Sequence, residues 1–257
     1  MTLIDTHCHL NDPRFSADLP EVLDRAAEAG VEAMIVVGWD VGSSRMAVEL
    51  AEKHDSIYAA VGIHPHDASD VTAEAIRDLR ELAAHDRVVA VGETGLDLYR
   101  ELSPVEDQKE AFVRFMELAV DVERPLIIHS RDADDQVLEI LSENRPADLP
   151  IVRHCFSGDI GVMEAYIDLD CYLGLAGPVT YPNARTLRKV AAGAPSDRIV
   201  VETDAPWLPP QGHRGKRNEP AFVEKIAGKV AEVRGIMPET LAETTTDNAR
   251  TLYHLPH

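Results

Sequence analysis

Two histidines one residue apart, His7 and His9, close a short apolar run at residues 3–10, Leu-Ile-Asp-Thr-His-Cys-His-Leu. In an extended strand the side-chain period of two puts both imidazoles on one face and Cys8 on the other. Two imidazoles so spaced can close on one metal ion, and they suit Zn²⁺ and its borderline-soft neighbours. Alone, His-x-His is a weak sign, because hydrogen-bonded or solvated histidines share the spacing. Its weight comes from Glu93, His129, His154 and Asp204, each of which falls where an apolar run gives way to polar or glycine-rich sequence. Four histidines and two carboxylates exceed what a mononuclear site needs, so the set predicts two divalent ions, of Zn, Mg or Mn. In that reading Glu93 bridges the ions, His7, His9 and Asp204 hold one, and His129 and His154 hold the other. A water acidified between the ions is the nucleophile, and Asp204 orients it or takes its proton.

Such a set works only if a scaffold gathers the ends of distant segments. Short apolar runs at residues 3–10, 32–38, 57–63, 87–94, 125–129, 150–154, 171–175 and 198–202 read as strands. Helical patterns separate them, at 20–29, from Ser43 or Ser44 to 53, 72–84, from 104 onward, 133–144, 160–167, 184–192 and 221–233. Thr72 is suited to cap its helix, and Ser103-Pro104-Val105-Glu106 has the form of a capping box. Residues 238–255 predict one or two terminal helices across the barrel. Strands alternating with helices imply a parallel sheet buried on both faces. Eight repeats in 257 residues predict an α/β fold, a (β/α)₈ TIM barrel formed as one domain over 1–257, with its active site at the C-terminal mouth. The six ligand-type residues then sit at the mouth ends of strands one, four, five, six and eight.

A formal net charge of −20 argues against non-specific adhesion to nucleic acid or anionic lipid. The apolar runs are too short for a bilayer span and no basic-then-apolar leader opens the chain, so the expectation is a cytoplasmic protein without membrane association. Three cysteines without Cys-x-x-Cys spacing argue against a disulfide framework, and no obligate protein partner is evident. Cys8 and Cys155 adjoin ligands but point to the opposite face, as small core residues do.

His64 closes the third strand and faces the same mouth, where it would hydrogen-bond a phosphate oxygen or the leaving group; a loop-fixing histidine is the plainer alternative. His66 reads as a loop residue. Arg214, Lys216 and Arg217 form the densest basic cluster, in the loop after strand eight, where barrels often bind phosphate. They would position a phosphate without reading bases, unless they are only a solvated loop. Tyr99 and Trp207 sit in mouth loops and could stack a terminal base or serve as packing. Glu202 shares a face with Asp204 and would anchor a ligand.

These segments carry a resemblance. Asp5-Thr6-His7-Cys8-His9, Gly62-Ile63-His64-Pro65-His66, Gly92-Glu93-Thr94-Gly95-Leu96-Asp97, Ile128-His129, His154-Cys155-Phe156-Ser157-Gly158, Glu202-Thr203-Asp204-Ala205-Pro206 and Arg214-Gly215-Lys216-Arg217-Asn218-Glu219-Pro220 run almost end to end. With them the chain resembles the TatD family of metal-dependent deoxyribonucleases, within the amidohydrolase superfamily. The family's metal ligands fall on the six positions above. The resemblance implies a barrel that cleaves phosphodiester bonds in DNA, often from the 3′ end, with single-stranded ends as the expected partner. The alternative is an amidohydrolase acting on an amide or ester. Many such relatives bridge their metals with a modified Lys at the end of strand four, where this chain has Glu93. A non-catalytic metal-binding module would leave gaps in the ligand set, and none is visible.

Overall fold

The computed structural model describes residues 1–146 and 148–256. Eight parallel strands lie in sequence order: β1 (Leu3–Cys8), β2 (Val31–Val37), β3 (Ile57–Val61), β4 (Val88–Asp97), β5 (Leu126–Arg131), β6 (Ile151–Arg153), β7 (Tyr172–Leu175) and β8 (Ile199–Val201). The helices between and after them are α1 (Leu19–Glu28), α2 (Val41–Lys53), α3 (Ala73–Ala83), α4 (Val105–Asp121), α5 (Asp134–Asn144), α6 (Ile160–Asp168), α7 (Arg185–Gly193) and α8 (Val223–Arg234). A parallel bridge between Cys8 and Ala205 closes the seam, so the sheet is a (β/α)₈ TIM barrel. No helix among the described residues is long and apolar enough to cross a membrane.

The strand sequences divide between two cores. On β2, Ala33, Ile35 and Val37 join an inner cluster with Ile4, Ala60, Val89, Ile127, Val152 and Val200. Met34 and Val36 instead join the outer cluster beneath the helices. Period-two apolar strands with both faces covered give this division directly. The terminal segment is one helix, α9 (Pro238–Tyr253), whose Ala249, Leu252 and Tyr253 pack on the inner cluster and stopper the barrel at the end opposite the mouth.

Several local expectations change. The helix at 41–53 is capped by Asp40, whose carboxylate accepts the Ser43 N–H at 2.6 Å while the Ser43 hydroxyl accepts the Asp40 N–H at 2.9 Å. Ser44 is buried instead, bonded to both backbone groups of Gly62. Thr72 does cap α3. The predicted capping box at Ser103 is absent: α4 starts after Pro104, and the Ser103 hydroxyl donates to the His66 carbonyl at 2.7 Å. The hydroxyl that would cap a helix holds a mouth loop instead.

Candidate metal centre

Two irregularities in the sheet aim the ligands. Between the pairs Asp5–Met34 and Cys8–Val36, β1 spends three residues where β2 spends two. Simple alternation from the inward-facing Ile4 would put Cys8 in the barrel; the extra residue places Cys8 in the outer cluster and turns His7 and His9 inward. The same happens on β4 between Val91–Leu126 and Thr94–Ile128, where the inserted residue brings Glu93 to the interior. Bulges beside active sites commonly re-aim a side chain in this way. Gly92 makes this one sterically feasible, since a Cβ there would lie 2.6 Å from the Ile127 carbonyl. His129 and His154 need no such device, because Ile127 and Val152 already set their parity. Asp204 is brought over by the seam: its N–H donates to the His7 carbonyl at 2.9 Å, and the His9 N–H donates to the Ala205 carbonyl at 2.7 Å.

Glu93 lies at the middle of the result. Its Oε1 is 2.7 Å from His129 Nδ1 and 2.8 Å from His154 Nε2. Its Oε2 is 3.4 Å from His7 Nε2 and 3.9 Å from His9 Nε2. Asp204 Oδ1 is 3.5 Å from His9 Nε2. The six residues named for metal ligation therefore meet in one place around one carboxylate; among the described residues the donor groups close enough to share an ion are His7, His9 and Asp204, then His7, His154 and Glu202, and then His64, Glu93 and His129. His64 meets them too, its Nε2 3.7 Å from Glu93 Oε1. Glu202 stands behind His154, 3.4 Å from Nδ1, and accepts the Cys155 N–H and the Thr6 hydroxyl.

The donors suit a divalent cation. His9 Nδ1 faces the Val37 carbonyl at 2.9 Å and must donate to it, which in the neutral ring leaves a bare lone pair on Nε2. That lone pair points at His7 Nε2, only 3.1 Å away. On the far edges of the rings, His129 Nε2 lies 3.4 Å from Asp97 Oδ2 and His154 Nδ1 lies 3.4 Å from Glu202 Oε1, while buried His7 Nδ1 has no hydrogen-bond partner among the described residues. Ring nitrogens converging on one carboxylate, with further carboxylates behind two of the rings, are what metal ligation uses. Burial, reinforced by His154, lowers the pKa of His7, and burial with His129 lowers that of His64 well below the ordinary imidazole range. Burial also opposes the charge on Glu93, yet His154, His64 and the hydrogen bonds from His129 and His154 outweigh it and hold the carboxyl well below its usual range. His154 is the counterpart: burial acts against its charge, but Glu93 and Glu202 raise its pKa to about 10. A field that keeps a fully buried imidazolium charged is one that attracts a cation.

The remaining site expectations divide. A cavity of 790 Å³ opens over the cluster and is lined by Trp207 and His64 along with His9, Glu93, His129, His154 and Asp204. Tyr99, Arg214, Lys216 and Arg217 do not line it. Arg217 is tied to Asp18 by hydrogen bonds of 2.6 and 2.7 Å and lies over the Phe15 ring. Arg214 covers Tyr181, and Lys216 is exposed. Cys155, expected in the core, is half-buried at the cavity wall, with a φ of 45° that turns the chain after His154. His66, read as a loop residue, lines the cavity as well.

The sequence reading gives Asp97 no role, yet it ends the same strand as Glu93. Its Oδ2 is 2.8 Å from His66 Nε2 and 3.4 Å from His129 Nε2, while Oδ1 accepts the N–H groups of Tyr99 and Arg100. Burial works against its charge, but His129, Arg100 and His66 hold its carboxyl well below the usual range. Its place at the mouth end of a strand, four residues past Glu93, was the available signal. Buried Arg153 was missed as well: it binds Asp134 and the carbonyls of Ser130 and His154, locking β5 to β6 behind the ligands.

A (β/α)₈ barrel whose mouth gathers histidines and carboxylates around one central glutamate has the build of a metal-dependent hydrolase. The sequence model of the family described as TatD related DNase matches residues 4–254, and the chain belongs to that family. It is 43% identical over 253 residues to a Bacillus subtilis protein named as the uncharacterized metal-dependent hydrolase YabD, covering 98% of this chain and 99% of that one. It is 36% identical over 259 residues to the 3′-5′ ssDNA/RNA exonuclease TatD of Erwinia tasmaniensis, covering 98% and 100%. The crystal structure of the TatD homologue YjjV from Escherichia coli superposes with a TM-score of 0.93 at 33% identity, over 99% of this chain and 98% of that one.

Proposed function

We propose that this chain, acting as one domain over 1–257, removes nucleotides from the 3′ end of single-stranded nucleic acid with two divalent ions. The observation that carries the reading is the division of Glu93, one oxygen toward His129 and His154 and the other toward His7 and His9. His7, His9 and Asp204 would hold one ion, and His129 and His154 the other. Divalent ions bound there supply Lewis acidity, acidifying an attacking water and polarising the phosphoryl oxygens.

The chain's own groups do the rest. Asp204, a carboxylate facing both His9 and the cavity, orients the attacking water and accepts its proton. His64 Nδ1 accepts the His66 N–H at 3.0 Å, so the neutral ring carries its proton on Nε2. That N–H is suited to donate to a phosphate oxygen or the departing alkoxide rather than to ligate. Glu202, Asp97 and the Arg153 network hold the ligand rings in place. A pocket set in the barrel mouth over these residues suits a strand end better than the middle of a duplex.

Relatives named as 3′-5′ ssDNA/RNA exonucleases support this reading over an amidohydrolase, and β4 offers Glu93 with no Lys to modify. A panel of linear and circular single-stranded DNA, an amide and an ester, each with added divalent metal, tests it. The expected result is loss of linear DNA with the circle, amide and ester intact. Rapid nicking of the circle, or turnover of the amide alone, would reject it.

A further inference from the structure

The cations around the cavity differ in what already binds them. Arg153 is committed to Asp134 and to three carbonyls. Arg14, 4.5 Å over the Trp207 ring, makes two hydrogen bonds of 2.8 Å to Asp12, so its charge is matched. Arg100 and Arg131 also line the cavity and are exposed. Among the described residues neither guanidinium has an ion pair or a hydrogen bond.

Both stand on one rim, and the rim is built. Arg131 ends β5 opposite Asp97 in the β4–β5 register, and its carbonyl accepts the Leu98 N–H at 2.9 Å. Asp97 Oδ1 accepts the N–H of Tyr99 at 3.0 Å and of Arg100 at 2.8 Å, which fixes the turn that presents both side chains. The Arg131 guanidinium then lies 3.9 Å from the centroid of the Tyr99 ring, and Tyr99 as a residue is 62% exposed. In strand order β4 and β5 lie across the barrel from β8 and β1, so this rim faces Trp207 over the metal centre.

We propose that Arg100, Arg131 and Tyr99 form the subsite for the retained strand. The two arginines hold the backbone phosphate next to the scissile one, Tyr99 offers its free face to the base beyond, and the terminal nucleotide lies toward Trp207. The proposal rests on the nuclease reading. A guanidinium matches phosphate with a planar fork of donors, and one already stacked on a ring loses less freedom on binding. At a net charge of −20, long-range forces repel a polyanion, so unmatched guanidinium groups beside the catalytic cluster are where a strand can be held. Exposure of Tyr99 and Arg131 gives the rest of the strand a way out, and an aromatic face accepts any base.

The test is the ratio of kcat/KM for a trinucleotide to that for a dinucleotide, measured at saturating divalent metal. A dinucleotide has only the scissile phosphate, whereas a trinucleotide adds the one that this subsite would hold. Each enzyme serves as its own reference, so a partly misfolded variant still yields a valid ratio. The wild-type ratio should be about tenfold or more, the scale of one charge-assisted contact. It should fall toward one in the double variant Arg100→Ala/Arg131→Ala. Tyr99→Ala should remove a further gain seen on longer strands, chiefly through KM. A wild-type ratio near one, a double variant that keeps the ratio, or its loss in Arg214→Ala instead would overturn the subsite alone. Failure of wild type to cleave either oligonucleotide would overturn the nuclease reading, and the subsite with it.

Discussion

Glu93 Oε1 stands 2.8 Å from His154 Nε2, and both side chains are almost wholly buried. Each group holds the other charged where burial alone would neutralise it. That pair sits on the side of the cluster shared with His129, while the second oxygen of Glu93 turns to His7. Much of what the centre should do follows from this one carboxylate.

Glu93→Ala should therefore cost more than alanine at any single histidine, because both ligand groups lose a member at once. The loss should exceed the roughly 10–100-fold typical of removing an outer partner of a metal ligand. Turnover and metal content of Glu93→Ala, measured beside His7→Ala and His129→Ala, check this. A Glu93→Ala protein with two ions and near-normal turnover would refute the bridge.

Metal affinity should rise with pH. His154 must lose its proton to become a ligand, and its folded-state pKa is raised to about 10 by Glu93 and Glu202 against the cost of burial. Throughout the neutral range a proton thus competes with the cation, and binding releases it. The same raised pKa gives the metal-free protein a stabilising contribution that is complete below the ordinary His value of 6.5 and is lost as pH rises through about 10. Calorimetric titration with Zn²⁺ in buffers of different ionisation enthalpy should show net proton release near neutral pH. Affinity that is flat between neutral pH and 9 would contradict the assignment.

Asp97→Ala should weaken the centre without touching a predicted ligand. It frees the His129 ring and the His66 side chain and releases the Tyr99–Arg100 turn together. A drop of about 10–100-fold in metal affinity or activity is expected. Competition with a chromogenic chelator measures it, and an unchanged affinity would show that Asp97 serves only the rim.

Arg153→Ala should destabilise the whole barrel. The guanidinium is 1% exposed, and its removal leaves Asp134 without its ion pair and the Ser130 and His154 carbonyls without donors. Removing one partner from a buried pair typically costs about 3–5 kcal/mol. Urea denaturation of the metal-free protein reads this directly; a cost below about 1 kcal/mol, the scale of a surface pair, would show the network to be dispensable.

The sequence made the gathering of these six residues legible because each falls where an apolar run gives way to polar or glycine-rich sequence, and a parallel barrel carries all such ends to one mouth. The period of two was right about His7 and His9 sharing a face, but the inward turn of that face depends on an extra residue against β2, which only the pairing register reveals. Residues whose meaning depends on a distant partner were not legible. Arg217 read as a phosphate anchor because Asp18, its partner, is 199 residues away. Arg100 and Arg131 passed unremarked because being unpaired at a rim is a property of the assembled mouth. Ser103 misled for a similar reason, since its hydroxyl finds the His66 carbonyl from 37 residues away.

The most direct test of the account is a time course on a 5′-labelled single-stranded oligonucleotide, using enzyme stripped of metal and then reloaded. The account predicts no degradation by the stripped protein and, on reloading, stepwise shortening from the 3′ end. Degradation by fully stripped enzyme, or internal fragments appearing first, would contradict it.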